Sequence, residues 1–302
     1  MGIQDLASRA AIGYATGVSC EPMTCCLCGH HAAPSETAEV RPNVRAFASE
    51  TFTVWRCEQC GSIHALEAVD LAHYYAQYPF FRQTMDFAVK LAHRNLLRRL
   101  KRCGIRPPMR VLDFGCGSGL LTQSLRALGF DATGYDPYSE THNDPAVLDE
   151  PFDVLIAQDV IEHSEDPVAM LREFDSLVKP GGHIVIGTPN ASGISLNPIG
   201  HYIHPLHQPY HRHILSRDML AAQTESLSWR QTAYYKTPYT NMVLLSLPFL
   251  HRLMDHFDGT IDVLFDRPSS WRFWLHPKTW GLFLAGRWLC DDADILAIYQ
   301  KT

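Results

Sequence analysis

The chain has 302 residues, with 26 basic and 32 acidic side chains for a net charge of −6. That balance gives no electrostatic footing for a nucleic-acid partner, which wants clustered Lys and Arg. Its 46% hydrophobic content is that of a globular protein, and no apolar run approaches the ~20 residues that cross a bilayer. The opening MGIQDLASRA lacks the basic-then-apolar pattern of a secretory leader, so a cytoplasmic setting is expected. Nine cysteines are then read as reduced thiols or metal ligands, not disulfides.

The first pattern in chain order is a repeated CxxCG. Cys25 and Cys28 precede Gly29, and Cys57 and Cys60 precede Gly61. Two intervening residues let both thiolates of a pair face one ion, and the glycine allows the sharp turn beneath them. Two such knuckles predict a tetrahedral four-thiolate zinc site with a structural role, because a closed site has no open coordination position. TFTVWRC, leading into the second knuckle, alternates and is rich in β-formers, so it reads as a ribbon strand. Cys20, Cys103, Cys116 and Cys290 are isolated and are expected to pack.

YYAQYPFF follows at Tyr74–Phe81, and residues 86–103 read as one helix with Leu91, Leu96 and Leu100 inward. From Met109 the chain alternates between strand and helix. MRVLDFG, DATGYDP, FDVLIAQDV and HIVIGTPN read as strands. SGLLTQSLRALGF and DPVAMLREFDSLVKPGG read as helices, the second closed by Pro180, Gly181 and Gly182. This order predicts an α/β domain with a Rossmann-like doubly wound sheet, whose ligands sit at the carboxyl ends of the strands.

The turn Gly115-Cys116-Gly117-Ser118-Gly119 decides among ligands. A dinucleotide fingerprint needs glycine or alanine where Leu120 stands, and a P-loop needs Lys-Ser/Thr after its last glycine. Neither is met. What remains is D-x-G-x-G-x-G from Asp113 to Gly119, which resembles motif I of the class I S-adenosylmethionine-dependent methyltransferases. The chemistry agrees. This cofactor has no pyrophosphate, its sulfonium and amino group are cationic, and glycines let the backbone approach its ribose and methionine parts.

The resemblance covers residues ~70–235 and the final strand DILAIYQ, and it implies the site. Asp113, Gly115, Cys116, Gly117 and Gly119 would surround the cofactor. Asp136, ending the second strand 17 residues after Gly119, would accept the ribose hydroxyls, with Pro137 beside it. Gln158 and Asp159 would end the next family strand over the cofactor. Tyr75 and Tyr78 resemble tyrosines that close over it in zinc-ribbon sugar methyltransferases. Only 16 residues separate Asp136 from Asp153, so the usual third strand and its helix are expected to be cut short.

HYIHPLHQPYHRH lies after the fifth family strand, where acceptors dock. His211, which matches a family stretch, and His207 are candidate general bases, with His163 of the Glu162-His163 pair as a rival. The histidines could also hold a metal that orients a diol or phenol. NMVLLSLPFLHRLMDHF reads as an amphipathic helix bent at Pro248, inside an insertion at about 238–287 that ends in the tryptophan-rich WRFWLHPKTWGLFLAGRW stretch. That stretch is a lid, a membrane or homodimer contact, or core, with core or dimer contact expected.

The expected organisation is a ribbon segment over 1–68 and a methyltransferase domain over 69–302. The expected activity is methyl transfer to a small molecule, first a sugar or glycan intermediate, otherwise a lipid-like or aromatic natural product. Methylation of protein or RNA, with the ribbon as the recognition module, is the third reading.

Overall fold

The computed structural model describes residues 22–302; the opening decapeptide and Cys20 lie outside the described residues. The ribbon comes first, with the short pair β1 (Met23–Thr24) and β2 (His31–Ala32), then β3 (Glu36–Val40), β4 (Phe52–Arg56) and β5 (Ile63–Ala65). Helices α1 (Leu71–Tyr75) and α2 (Phe87–Arg102) lead into β6 (Arg110–Phe114), α3 (Leu120–Ala127) and β7 (Asp131–Tyr135). Next come β8 (Phe152–Gln158), α4 (Pro167–Ser176), β9 (Val178–Pro189), α5 (Ile203–Leu206) and β10 (His213–Ile214). The chain closes with α6 (Arg217–Ser226), β11 (Trp229–Tyr235), α7 (Leu247–His256), α8 (Asp262–Asp266), α9 (Trp271–Leu275), α10 (Pro277–Ala285) and β12 (Asp294–Lys301).

The main sheet runs β11-β12-β9-β8-β6-β7. β9, β8, β6 and β7 are parallel, and β12 is antiparallel to both of its neighbours. Helices cover both faces, so the inner strands are continuous apolar runs whose residues alternate between two cores. Val111, Val154, Ile156, Val185, Leu296 and Ile298 pack with Leu96, Leu100, Leu121 and Leu125 of α2 and α3. Their sequence neighbours Leu112, Leu155, Ala157, Ile184, Ile186 and Ala297 pack with Leu171 and Phe174 of α4 and Leu220 of α6.

The gap after β7 holds only a 3-10 turn at Pro145–Leu148, so β7 is the edge strand and the expected shortening has removed the third family strand. Three local expectations need correction. The helix expected up to Pro180 ends at Ser176, because β9 already begins at Val178. α7 is not bent at Pro248. It starts at Leu247, which puts the proline in the first turn, where its missing N–H costs nothing. The tryptophans of the insertion are not core: Trp271, Trp274, Trp280 and Trp288 are all exposed.

The sheet also crosses the expected 68/69 boundary. β10 adds to the ribbon sheet as β10-β5-β4-β3, with His213 opposite His64 and Ile214 opposite Ile63. Arg56 of β4 reinforces this junction, donating to the carbonyls of Ala191 (2.9 Å) and Ile194 (2.8 Å).

Candidate active site and thiolate cluster

The four ribbon cysteines converge. Each knuckle closes with a glycine N–H donating to the first cysteine carbonyl, Gly29 to Cys25 at 2.8 Å and Gly61 to Cys57 at 2.9 Å. Across knuckles, Cys25 and Cys60 have their sulfurs 3.7 Å apart, as do Cys28 and Cys57. A tetrahedral ion with Zn–S bonds of about 2.3 Å needs sulfurs about 3.8 Å apart, so the cluster fits such an ion. His64, missed at the sequence level, sets its Nε2 3.3 Å from the Cys25 sulfur, the position of an outer-shell donor.

Motif I forms the turn between β6 and α3. Gly115, Gly117 and Gly119 all have positive φ. A Cβ on Gly117 would meet nothing within 4 Å, so the backbone there borders open space into which a ligand can come close. Cys116 turns inward beneath Gly134. Asp136 braces the turn: one oxygen accepts from Gly117 N and the other from Tyr138 N, both at 2.9 Å. Pro137 beside it is exposed.

Asp113 is buried. Its Oδ2 accepts from the N–H (3.0 Å) and hydroxyl (2.7 Å) of Thr122, tying β6 to α3. Burial raises its carboxyl to about 6. Gln158 lies against Gly187 of β9 at the carboxyl end of β8. Asp159 follows at φ +54, a left-handed conformation rare for a residue with a side chain. It reaches the surface of the crevice, and the protein crowded around it raises its carboxyl to about 6.

The tyrosines and histidines expected at the site meet in one cluster. Tyr75 stacks on Tyr138 (centroids 5.0 Å), and its hydroxyl lies 2.7 Å from His163 Nδ1. His163 packs against His211, with ring centroids 4.7 Å apart. The Tyr78 hydroxyl lies 3.3 Å from His207 Nε2. Asn43, from the ribbon segment, takes up His207 Nδ1 through its amide oxygen and was not legible as a site residue. Both His207 nitrogens are thus engaged, which leaves it holding Tyr78 in place.

His211 is different. Its Nδ1 donates to the Pro205 carbonyl at 2.7 Å, which leaves the Nε2 lone pair available. That atom lies 3.8 Å from Glu162 Oε1, a fully buried oxygen with no hydrogen-bond partner. The other Glu162 oxygen accepts from Thr188 Oγ1 at 3.0 Å. Burial holds His211 down at about 4, while burial and the neighbouring Asp159 push Glu162 well above the usual carboxylate range. Burial, then His211, lowers His163. Ligand atoms of Glu162, His163 and His211 all lie within 4.8 Å of one another.

Beyond Pro205 is a cavity of about 460 Å³, walled by Leu247, Leu282 and Leu289 and by His201, Asp291 and Asp294. Burial, then Asp159, raises Asp294 to about 7.

The model of a family described as a methyltransferase domain matches residues 87–261, more than half of the chain. The chain belongs to this family. Its sheet order, with one antiparallel strand among parallel ones, is that of a class I S-adenosylmethionine-dependent methyltransferase domain. Among curated relatives, a ubiquinone biosynthesis O-methyltransferase of Cereibacter sphaeroides is 36% identical over 103 residues, covering 27% of this chain and 42% of that protein. One from Colwellia psychrerythraea is 33% identical over 106 residues, covering 28% and 43%. The chain therefore spans less than half the length of these relatives. Among solved structures, a SAM-dependent methyltransferase from Archaeoglobus fulgidus aligns with 76% of this chain and all of its own, at 18% identity and TM-score 0.42. Magnesium protoporphyrin IX methyltransferase from Synechocystis, with bound SAH, aligns with 55% and 88%, at 17% identity and TM-score 0.42.

Proposed function

We propose that this chain transfers a methyl group from S-adenosylmethionine to a hydroxyl of a small molecule with an apolar or aromatic body, and that its four ribbon thiolates hold a structural zinc. The observation that carries the reading is His211, whose Nδ1 bond to Pro205 leaves a buried Nε2 lone pair beside Glu162. Tyr75 links this base to the ribose side of the crevice, touching His163 at one end and Tyr138, two residues after Asp136, at the other.

The step is an in-line displacement. The acceptor oxygen attacks the sulfonium methyl and forms the C–O bond. The C–S bond breaks with its electron pair going to sulfur, and the hydroxyl proton passes to His211 Nε2. Burial keeps that imidazole neutral at pH 7, ready to accept, with the Glu162 carboxyl 3.8 Å from the accepting nitrogen. The O-methyltransferase names of the curated relatives favour a hydroxyl acceptor, and Leu247, Leu282 and Leu289 give the otherwise polar cavity an apolar patch for part of its body.

The test uses methyl-labelled S-adenosylmethionine with separated host fractions. Label in the lipid or aromatic fraction supports the reading; label in polar metabolites would return the acceptor to the sugar or glycan class expected from the ribbon and the tyrosines. Label in protein or RNA would point to the ribbon as a recognition module. His211→Ala should lower kcat about 10²–10⁴-fold with cofactor affinity unchanged. An unaltered kcat would remove His211 from the reaction.

A second reading rests on the unpartnered Glu162 Oε1 within ligand distance of His163 and His211. A divalent ion held there would bind and acidify the acceptor hydroxyl. Activity lost on chelation and restored by Mg²⁺, Mn²⁺ or Zn²⁺, with the ribbon still loaded, would favour it over the metal-free base.

A further inference from the structure

The surface of the aromatic insertion breaks the ordinary rule for an exposed helix. α10 turns Thr279 and Phe283 inward, at i and i+4, and Gly286, just past its end, is buried. Its outer side carries Trp280 and Leu284, at i and i+4, where a surface helix normally places charged or polar groups, and Trp288 follows in the 3-10 turn after it. Trp271, Leu275 and Leu289 extend this face, and all six side chains are 48–72% exposed. Trp280 also serves the fold, its Nε1 donating to the Trp274 carbonyl at 2.7 Å and its ring lying 5.4 Å from that of Trp274. The interior of the insertion is closed by Phe249, Phe273 and Phe283, with ring centroids 5.3 Å apart for Phe249 and Phe283 and 5.7 Å for Phe249 and Phe273.

The charge on this segment is as one-sided as its apolarity. From Arg267 to Cys290 there is no Asp or Glu, in a chain whose net charge is −6. Arg267 is spent on Asp86. Arg272 and Arg287 form no ion pair among the described residues, while Lys278 lines the 460 Å³ cavity beside Asp255, Asp291 and Asp294. Arg272 instead lies over the Trp271 ring, 5.5 Å from its centroid. Exposed tryptophan and leucine beside unpaired cations match the chemistry of an anionic lipid surface, where indole rings settle at the headgroup level and cations meet phosphate.

We propose that the exposed face of α9 and α10 docks this enzyme on an anionic membrane surface. A second copy fits the face less well. An isologous dimer would bring Arg272 and Arg287 of both copies into one interface with no carboxylate in the segment to offset them. Leu282 and Leu289 of the same unit also wall the 460 Å³ cavity, so docking brings a ligand-sized space to the lipid boundary. The inference stands apart from the acceptor assignment: the face would bind lipid whatever the cavity takes.

The experiment is co-sedimentation of the full chain with vesicles of equimolar phosphatidylcholine and phosphatidylglycerol, beside vesicles of phosphatidylcholine alone. Pelleting is expected with the anionic vesicles, weakened at high salt. Trp271→Ser with Trp288→Ser, or Arg272→Glu with Arg287→Glu, should each reduce binding about tenfold or more. Thermal melts check that these outward substitutions leave the fold intact. Wild-type protein that stays in the supernatant with anionic vesicles would overturn the proposal, as would variants that bind like wild type. Light scattering that finds a dimer, dissociated by the tryptophan pair of substitutions, would assign the face to a second copy and overturn it too.

Discussion

Asp136 already spends one lone pair of each carboxylate oxygen on the backbone, bracing Gly117 and Tyr138. Each oxygen retains a second lone pair, which is what two adjacent ribose hydroxyls require. Asp136→Asn would keep the volume but replace one acceptor with a donor that faces a backbone N–H. Affinity for S-adenosylmethionine is expected to fall about 10–100-fold, one to two steps of about 1.4 kcal/mol. An unchanged Kd by calorimetry would remove Asp136 from the ribose role. The place of Asp136 at the end of the second strand was legible, because an acid there has a position in the chain as well as a chemistry. Glu162 was not legible in the same way. It was visible only as the neighbour of His163, since nothing in a one-dimensional pattern reports that both its oxygens are buried and one has no partner. Asp113 is expected from the motif beside the cofactor, and one of its oxygens, Oδ2, is held by Thr122, nine residues on.

Among the elements, α2 behaves as its sequence says. Asp86 caps it by accepting from Val89 N at 2.8 Å, and Leu96 and Leu100 are fully buried, while Leu91 is only half-buried. The same inner face carries His93, which is buried with its Nδ1 2.7 Å from Ser124 Oγ of α3. Burial pushes this histidine down to about 4. The unfolded chain therefore takes up the proton first as pH falls. His93 costs no stability above its unfolded pKa of about 6.5 and removes stability progressively from there down to about 4. Comparing wild type with His93→Gln cancels every other titrating group. The pH dependence of unfolding free energy should differ by about 1.4 kcal/mol per pH unit within that window and by nothing above it. Parallel profiles in denaturant titrations would mean that His93 is solvated. Elements fixed by local pattern were legible in this way, as was the shortening of the third-strand region, whereas the complete loss of that strand is visible only in the structure. The tryptophan helices were not. Apolar residues on both sides of α10 read as core, and only the three-dimensional arrangement separates the Phe283 side from the Trp280 side.

At the scale of the molecule, the ribbon is built into the methyltransferase domain. The two-residue strand β10 pairs with β5 across about 150 positions of sequence, too short and too distant to be read as a pattern. Arg56 and Ser216 add polar ties: Arg56 donates to Ala191 and Ile194 carbonyls, and the Ser216 hydroxyl donates to the Cys60 carbonyl at 2.6 Å while capping α6. Cys25, Leu27, Trp55 and Cys57 lie in the same apolar core as α4 and α6. Metal loss should therefore reach the catalytic domain. About one zinc per chain is expected by elemental analysis, and Cys57→Ser should lose it. Because metal binding to such sites is coupled to folding, a loss of about 3–5 kcal/mol is expected, lowering Tm by roughly 10 °C in a single calorimetric transition. A split thermogram, with the main transition unmoved and a small early one from the ribbon, would show instead that β10 and Arg56 link two units that unfold separately. A metal-free chain with wild-type Tm would show that the four thiols hold their places without an ion.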